Sequence, residues 1–288
     1  MIATMHVKIL LFVAVISVVT ITTADAKTVL FLPPPTTSYV VYHSNVAGAL
    51  ASLGHDVWIC LPHFMVPRNL VKDKSVKVLE YGEHLGDLEA FIYGKTKIVD
   101  KFWAGENPIQ LKALYDVGVV FVGIANSILS DTSFIDRVRN LKVDLFVLES
   151  IPFNMNMIVL PYMLDIPYAL IGTFHDVVLS KVPYSPGEPI FAGDKFSDKM
   201  SFFQRLQCFL LYVARINFDV FYDSSFISRF APHKPYKSIN ELAANAEVFI
   251  AEIDHILDYP RTMLPNTKLV GGSSASSVKP LVGEFKKF

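Results

Sequence analysis

Thr28-Val29-Leu30-Phe31-Leu32-Pro33-Pro34-Pro35 is a continuous apolar run stopped by three consecutive prolines. An unbroken run of this kind suits a parallel strand buried on both faces, and prolines end it because they cannot donate to a ladder. Downstream of Val41, apolar Val46, Leu50 and Leu53 recur at helical spacing, and Gly54 stands where a helix C-cap belongs. Asp56 to Leu61 is then a second apolar run. Strand, helix and strand in this order form a β-α-β unit, whose crossover is right-handed.

The same pattern returns further along. Val143 to Leu148 reads as a strand, the Met-rich segment Ile151 to Leu164 as its helix, and Pro167 to Gly172 as the next strand. Asp87 to Ala104 and Leu111 to Leu129 are assigned mainly to helix. Alternation of strands and helices gives the fold class, an α/β doubly wound parallel sheet of Rossmann-like type, whose ligands bind beyond the carboxyl ends of the strands. Val182 to Lys195, rich in proline and glycine, is a loop. After it, Phe202 to Tyr222 is dense in Phe, Leu and Tyr but carries Arg205, Arg215 and Asp219, which argues against a membrane span. A core or lid helix is preferred there over a helix resting in a membrane interface.

Composition narrows the functional classes. A hydrophobic content of 52% supports a sizeable core, and 26 basic residues nearly cancel 27 acidic ones. No global field points to nucleic acid. The apolar run Ile9 to Ile21 follows Lys8 and precedes Ala24-Asp25-Ala26, the pattern of a secretory signal peptide. As helix it spans about 20 Å, short of a hydrocarbon core of about 30 Å. The only cysteines, Cys60 and Cys208, have no CxxC or Cys/His companions, and Cys60 in its apolar run reads as a buried free thiol. No G-x-G-x-x-G, Walker loop, G-x-S-x-G elbow or H-E-x-x-H helix occurs, so dinucleotide enzymes, P-loop NTPases, α/β-hydrolases and zinc proteases lose weight.

Three stretches carry a family resemblance. Ser38-Tyr39 opens the first helix, which closes at Leu53-Gly54-His55-Asp56-Val57. Val143-Asp144-Leu145-Phe146-Val147-Leu148-Glu149 is followed by Asp165-Ile166-Pro167-Tyr168. Phe196-Ser197-Asp198-Lys199-Met200-Ser201-Phe202 precedes Leu257-Asp258-Tyr259-Pro260-Arg261, Pro265-Asn266 and Gly271-Gly272. In wording and order these resemble the N-terminal half of UDP-glycosyltransferases of the glucuronosyltransferase type. The resemblance implies the acceptor-binding half of a GT-B fold. Its expected divisions are a signal peptide over 1–26, the acceptor domain over 27–270 and an interdomain linker over 271–288, the C-terminal UDP-sugar domain being absent.

By that resemblance the expected partner is a small lipophilic acceptor, with UDP-sugar as co-substrate and no resident cofactor or metal. A full-length glycosyltransferase is a further expected partner, and the endoplasmic reticulum lumen, or secretion, the expected location. In the family a histidine oriented by an aspartate takes the acceptor hydroxyl's proton. The matching positions here hold Tyr39 and Glu149. A tyrosine with an ordinary pKa near 10 is a poor base at neutral pH, and glutamate's extra methylene shifts the carboxylate. His43, one helical turn beyond Tyr39, is the alternative base, but about 6 Å of displacement exceeds hydrogen-bond reach. Its other reading is an ordinary polar residue at the pocket edge. These departures imply that the isolated chain is inactive, or is a noncatalytic binder of lipophilic molecules. Phe102, Trp103, Phe174 and Tyr184 either line an acceptor pocket or pack in the core.

Overall fold

In the computed structural model the residues described are 25–97, 100, 103–104, 111–173, 176–188, 197, 199–217, 221–253, 262–273, 280 and 282–287. The signal-peptide reading, the Leu257 to Arg261 motif, Phe102 and Phe174 lie outside them. Thr28–Leu32 is β1, and it is an interior strand, third in order, of a seven-stranded sheet. Asp56–Pro62 (β2) and Lys77–Tyr81 (β3) extend the sheet on one side of β1. Leu145–Glu149 (β4), Tyr168–Gly172 (β5), Phe249–Ala251 (β6) and Thr267–Leu269 (β7) extend it on the other. Every pairing is parallel. The order β3-β2-β1-β4-β5-β6-β7 reverses direction between β1 and β4, which makes that junction the topological switch point.

Helices cover both faces, so alternate residues of each strand enter different cores. Val29, Phe31, Val57, Ile59, Val147 and Ile171 pack beneath α1, Thr37–Ser52. Leu30, Leu32, Cys60, Phe146, Leu148 and Leu170 face the opposite layer. That layer contains α2 (Leu88–Thr96), α3 (Leu111–Leu129), α4 (Thr132–Asn140), α5 (Val159–Met163), α7 (Ser225–Phe230) and α8 (Ile239–Ala244). Between α5 and α7 lies α6, Phe202–Asn217. Cys60 is fully buried and free, as its apolar run implies.

Several local expectations change. The core face of α1 is Val40, His43, Ser44 and Ala47, while Val46 and Leu50 are only partly buried and Leu53 is exposed. A periodicity count over apolar residues cannot see a buried face that includes histidine and serine. The Ile151 to Leu164 helix is instead a 3-10 segment at Pro152–Ile158 leading into the short α5. Strands β3, β6 and β7 and helices α4, α7 and α8 are short, and patterns of that length carry little period signal. Their starts are marked chemically: Asp131 accepts from the Phe134 amide at 3.0 Å, and Ser238 with Glu241 forms a reciprocal capping box on α8.

Candidate acceptor site and the buried histidine-glutamate pair

The sheet brings two of the three sequence candidates together at the switch point. Glu149 is the last residue of β4, paired in register with Ile171 of β5, and it shares a strand face with Leu145 and Val147 toward α1. His43 lies on the core face of α1. Its Nε2 and Glu149 Oε2 are 3.0 Å apart, and both side chains are fully buried. Edge-on contacts with Phe31 and Tyr42, at 5.9 and 5.6 Å between ring centroids, fix the imidazole. His43 is therefore not a polar residue at a pocket edge, and its burial corrects that expectation. Its hydrogen bond satisfies one Glu149 oxygen, whereas Oε1 and His43 Nδ1 make no hydrogen bond among the described residues.

Helix α1 runs back from the carboxyl edge of the sheet, so Tyr39 lies one turn nearer that edge than His43 and is only half-buried. Burial first, then the charges of Glu149 and Tyr93, push the Tyr39 phenol well above its ordinary range. A tyrosine beside a carboxylate resists ionisation because two negative charges would face each other in a low dielectric. The arrangement places Tyr39, its phenol shifted upward, near the edge, and His43, paired with the Glu149 carboxylate, in the interior.

Two features that the sequence did not single out support this geometry. At Gly172, the end of β5, an added Cβ would lie 2.0 Å from Glu149 Oε1 and 2.4 Å from Ser150 Oγ. The carboxylate occupies the volume that any other residue would need. At the mouth of α1, Glu89 accepts from the Thr37 amide at 2.6 Å and from the Thr37 hydroxyl at 3.0 Å. Arg68 contacts the same carboxylate, donates to Thr37 Oγ1 at 3.0 Å and reaches Asp87 Oδ2 at 3.1 Å. A carboxylate at a helix N-terminus is favoured by the exposed amides and the dipole there. This clamp ties α2 and the Arg68 segment to the start of α1 and so places Tyr39.

A family model described as UDP-glucoronosyl and UDP-glucosyl transferase matches residues 28–288. The chain belongs to this family. UDP-glucuronosyltransferase 3A1 of Bos taurus is 22% identical over 260 residues, covering 87% of this chain and 48% of its own length. UDP-glucuronosyltransferase 3A2 of Mus musculus is 22% identical over 276 residues, covering 92% of this chain and 51% of its own. The chain thus spans about half the length of the curated relatives it matches. The solved structure of the calicheamicin glycosyltransferase CalG4 aligns at a TM-score of 0.50 and 15% identity, over 86% of this chain and 52% of that one. That likeness concerns the fold, which is the Rossmann-like half-domain of a GT-B glycosyltransferase.

Within this UDP-glycosyltransferase half-domain, the burial of Glu149 bears on how stability depends on pH. Burial pushes its carboxyl above the usual carboxylate range, with the His43 hydrogen bond and charge opposing the shift. The unfolded chain releases this proton in the ordinary range, whereas the folded chain holds it to higher pH. Between those limits the folded state binds more protons, so stability falls as pH rises through the window. Glu149→Gln, which cannot ionise, is expected to flatten that fall. Denaturant midpoints across the window check this, and parallel curves for the two proteins would remove Glu149 as its source.

Of the aromatic candidates, Trp103 is 83% exposed. Tyr184 stacks on Tyr212 at 4.5 Å, on the flank of α6. Trp103 thus lies outside the core, whereas Tyr184 is partly buried against the small Met200–Cys208 cluster.

Proposed function

We propose that this chain holds a small lipophilic acceptor at the carboxyl edge of its sheet, as the acceptor-binding half of a UDP-sugar transferase, and that alone it transfers no sugar. The observation that carries the reading is the His43–Glu149 pair, sealed at 0% exposure beneath the edge. Proton transfer requires hydrogen-bond reach to the acceptor hydroxyl, which a fully buried imidazole lacks. Tyr39, nearer the edge, has its proton affinity raised by burial and by Glu149.

The family supports a UDP-sugar co-substrate and an acceptor, and the lipophilic character of that acceptor is part of the proposal. The division into a signal peptide at 1–26, an acceptor domain at 27–270 and a linker at 271–288 belongs to the same proposal. So do entry into the secretory pathway and pairing with a full-length glycosyltransferase, which would supply the sugar nucleotide. The second reading, a noncatalytic binder of lipophilic molecules, is favoured by the same buried pair, because binding needs no accessible base.

One experiment tests the claims that both readings share. The purified chain is incubated with UDP-glucuronic acid or UDP-glucose and a panel of phenols, and phenol binding is followed by tyrosine and tryptophan fluorescence. Phenol binding without product is the expected result. Product above the no-protein control would overturn the claim of inactivity, and absence of any phenol binding would overturn the acceptor site itself.

A further inference from the structure

A cavity of about 580 Å³ opens in the helical layer, away from the edge at which Glu149 ends β4. Its walls come from the end of α3, from α4, from the end of α5 and from the end of α7 with the segment that follows it. Helices α4 and α5 finish at Asn140 and Met163, just before β4 starts at Leu145 and β5 at Tyr168. Returns this short hold Arg139, Met163 and Leu164 near the amino ends of those strands, whereas Glu149 and Gly172 stand at the carboxyl ends. The volume falls within the range of about 300–1,000 Å³ usual for small-molecule sites.

The floor is apolar. Leu129 and Ile135 are buried in it, and Met163, Leu164 and Phe230 are half-buried. The rim is cationic, with Arg139, Arg229 and His233 exposed on it and Asp136 the one acid in the lining among the described residues. Asp136 pairs with Arg139, and Asp165 nearby pairs with Lys234. From Ser225 to Ser238 the sequence has no Asp or Glu, and among the described residues Arg229 has no carboxylate partner. Its guanidinium stacks on Phe230, with the central carbon 4.8 Å from the ring centroid. A stacked guanidinium keeps its N–H edge available to meet a planar carboxylate in two hydrogen bonds. His233 donates from Nε2 to the Met163 carbonyl at 3.2 Å and so ties this wall to the floor.

Charge and surface together select the occupant. One uncompensated guanidinium above an apolar floor balances a single negative charge carried on a hydrocarbon body. A polyphosphate or nucleic acid would need several free cations and would leave the floor unused. A twofold contact between two copies of this face would place both Arg229 side chains in one interface without a counter-charge.

We infer that this groove binds an amphipathic monocarboxylate, its carboxylate on Arg229 and its chain over Met163, Leu164 and Phe230. The site is separate from the acceptor edge.

Isothermal titration calorimetry of the full chain with decanoate tests this, with acetate lacking the chain and decyltrimethylammonium reversing the charge. Decanoate is expected to saturate one site, and the other two to bind at least about tenfold more weakly. Arg229→Gln is expected to weaken decanoate about tenfold, the worth of a charge-assisted hydrogen bond, with Arg229→Lys in between. Met163→Glu, which sets a negative charge on the floor, is expected to weaken it by at least as much. Arg229 is exposed, so an unchanged thermal melt of its variants shows that the fold survives. A saturating phenol is expected to leave decanoate binding as it was. Absence of decanoate binding, equal binding of the cationic probe, or undiminished binding by Arg229→Gln overturns the inference. Displacement of decanoate by phenol also overturns it and assigns the carboxylate to the acceptor edge.

Discussion

His43→Ala is expected to destabilise the chain by about 3–5 kcal/mol, the range for breaking a buried charged or hydrogen-bonded pair from one side. The loss is large against a typical total of about 5–15 kcal/mol. Its physical source is Glu149, since its Oε1 already makes no hydrogen bond among the described residues and removal of His43 leaves Oε2 without its partner as well. The vacated imidazole volume also withdraws contacts from Phe31 and Tyr42. Urea unfolding checks the value. The paired replacement His43→Leu with Glu149→Met, which removes both polar groups at similar volume, is expected to recover most of the loss. A single-variant loss below about 1 kcal/mol would place the pair in contact with solvent and undo the case for a sealed site.

Gly172→Ala is the second large effect, expected at about 3 kcal/mol, the upper part of the range for overpacking. The new methyl group would sit 2.0 Å from Glu149 Oε1, 2.4 Å from Ser150 Oγ and 3.0 Å from the Glu149 carboxyl carbon. The carboxylate cannot retreat freely, because its other oxygen is held by His43 at 3.0 Å. In a Glu149→Ala background most of the penalty is expected to vanish, since the obstructing group is gone. A double-mutant cycle measures this coupling, and strictly additive losses would show that the clash is not with Glu149.

The two variants bear on function differently. His43 and Glu149 form the polar centre of the switch point, while Gly172 acts through the room it leaves for the carboxylate. The Arg68–Glu89–Thr37 clamp adds a third constraint at the mouth of α1. Together they describe a site whose polar groups hold the fold at the carboxyl edge, with Tyr39 nearer that edge than the buried His43.

Much of the frame was readable from residue order. The apolar run at β1, the repeated strand-helix-strand pattern and the segment that became α3 matched their elements closely, because long or unbroken apolar runs leave a strong period signal. Short elements left little, so β3, β6 and β7 emerged only where pairing with a neighbour completed their backbone hydrogen bonds. At the site, the positions of Tyr39 and Glu149 followed from the family resemblance. Sequence separation hid the His43–Glu149 contact, which joins residues 106 apart and depends on both their depth and their direction.

The sequence by itself determined the α/β class and the family. These properties are written in local pattern and residue identity. Tertiary structure decided that His43 meets Glu149 in the interior, that Gly172 must remain small and that α6 turns its phenylalanines outward. Each depends on which face of an element another element covers. A linear pattern specifies that a stripe is apolar, but only packing decides whether the stripe faces the core or the surroundings.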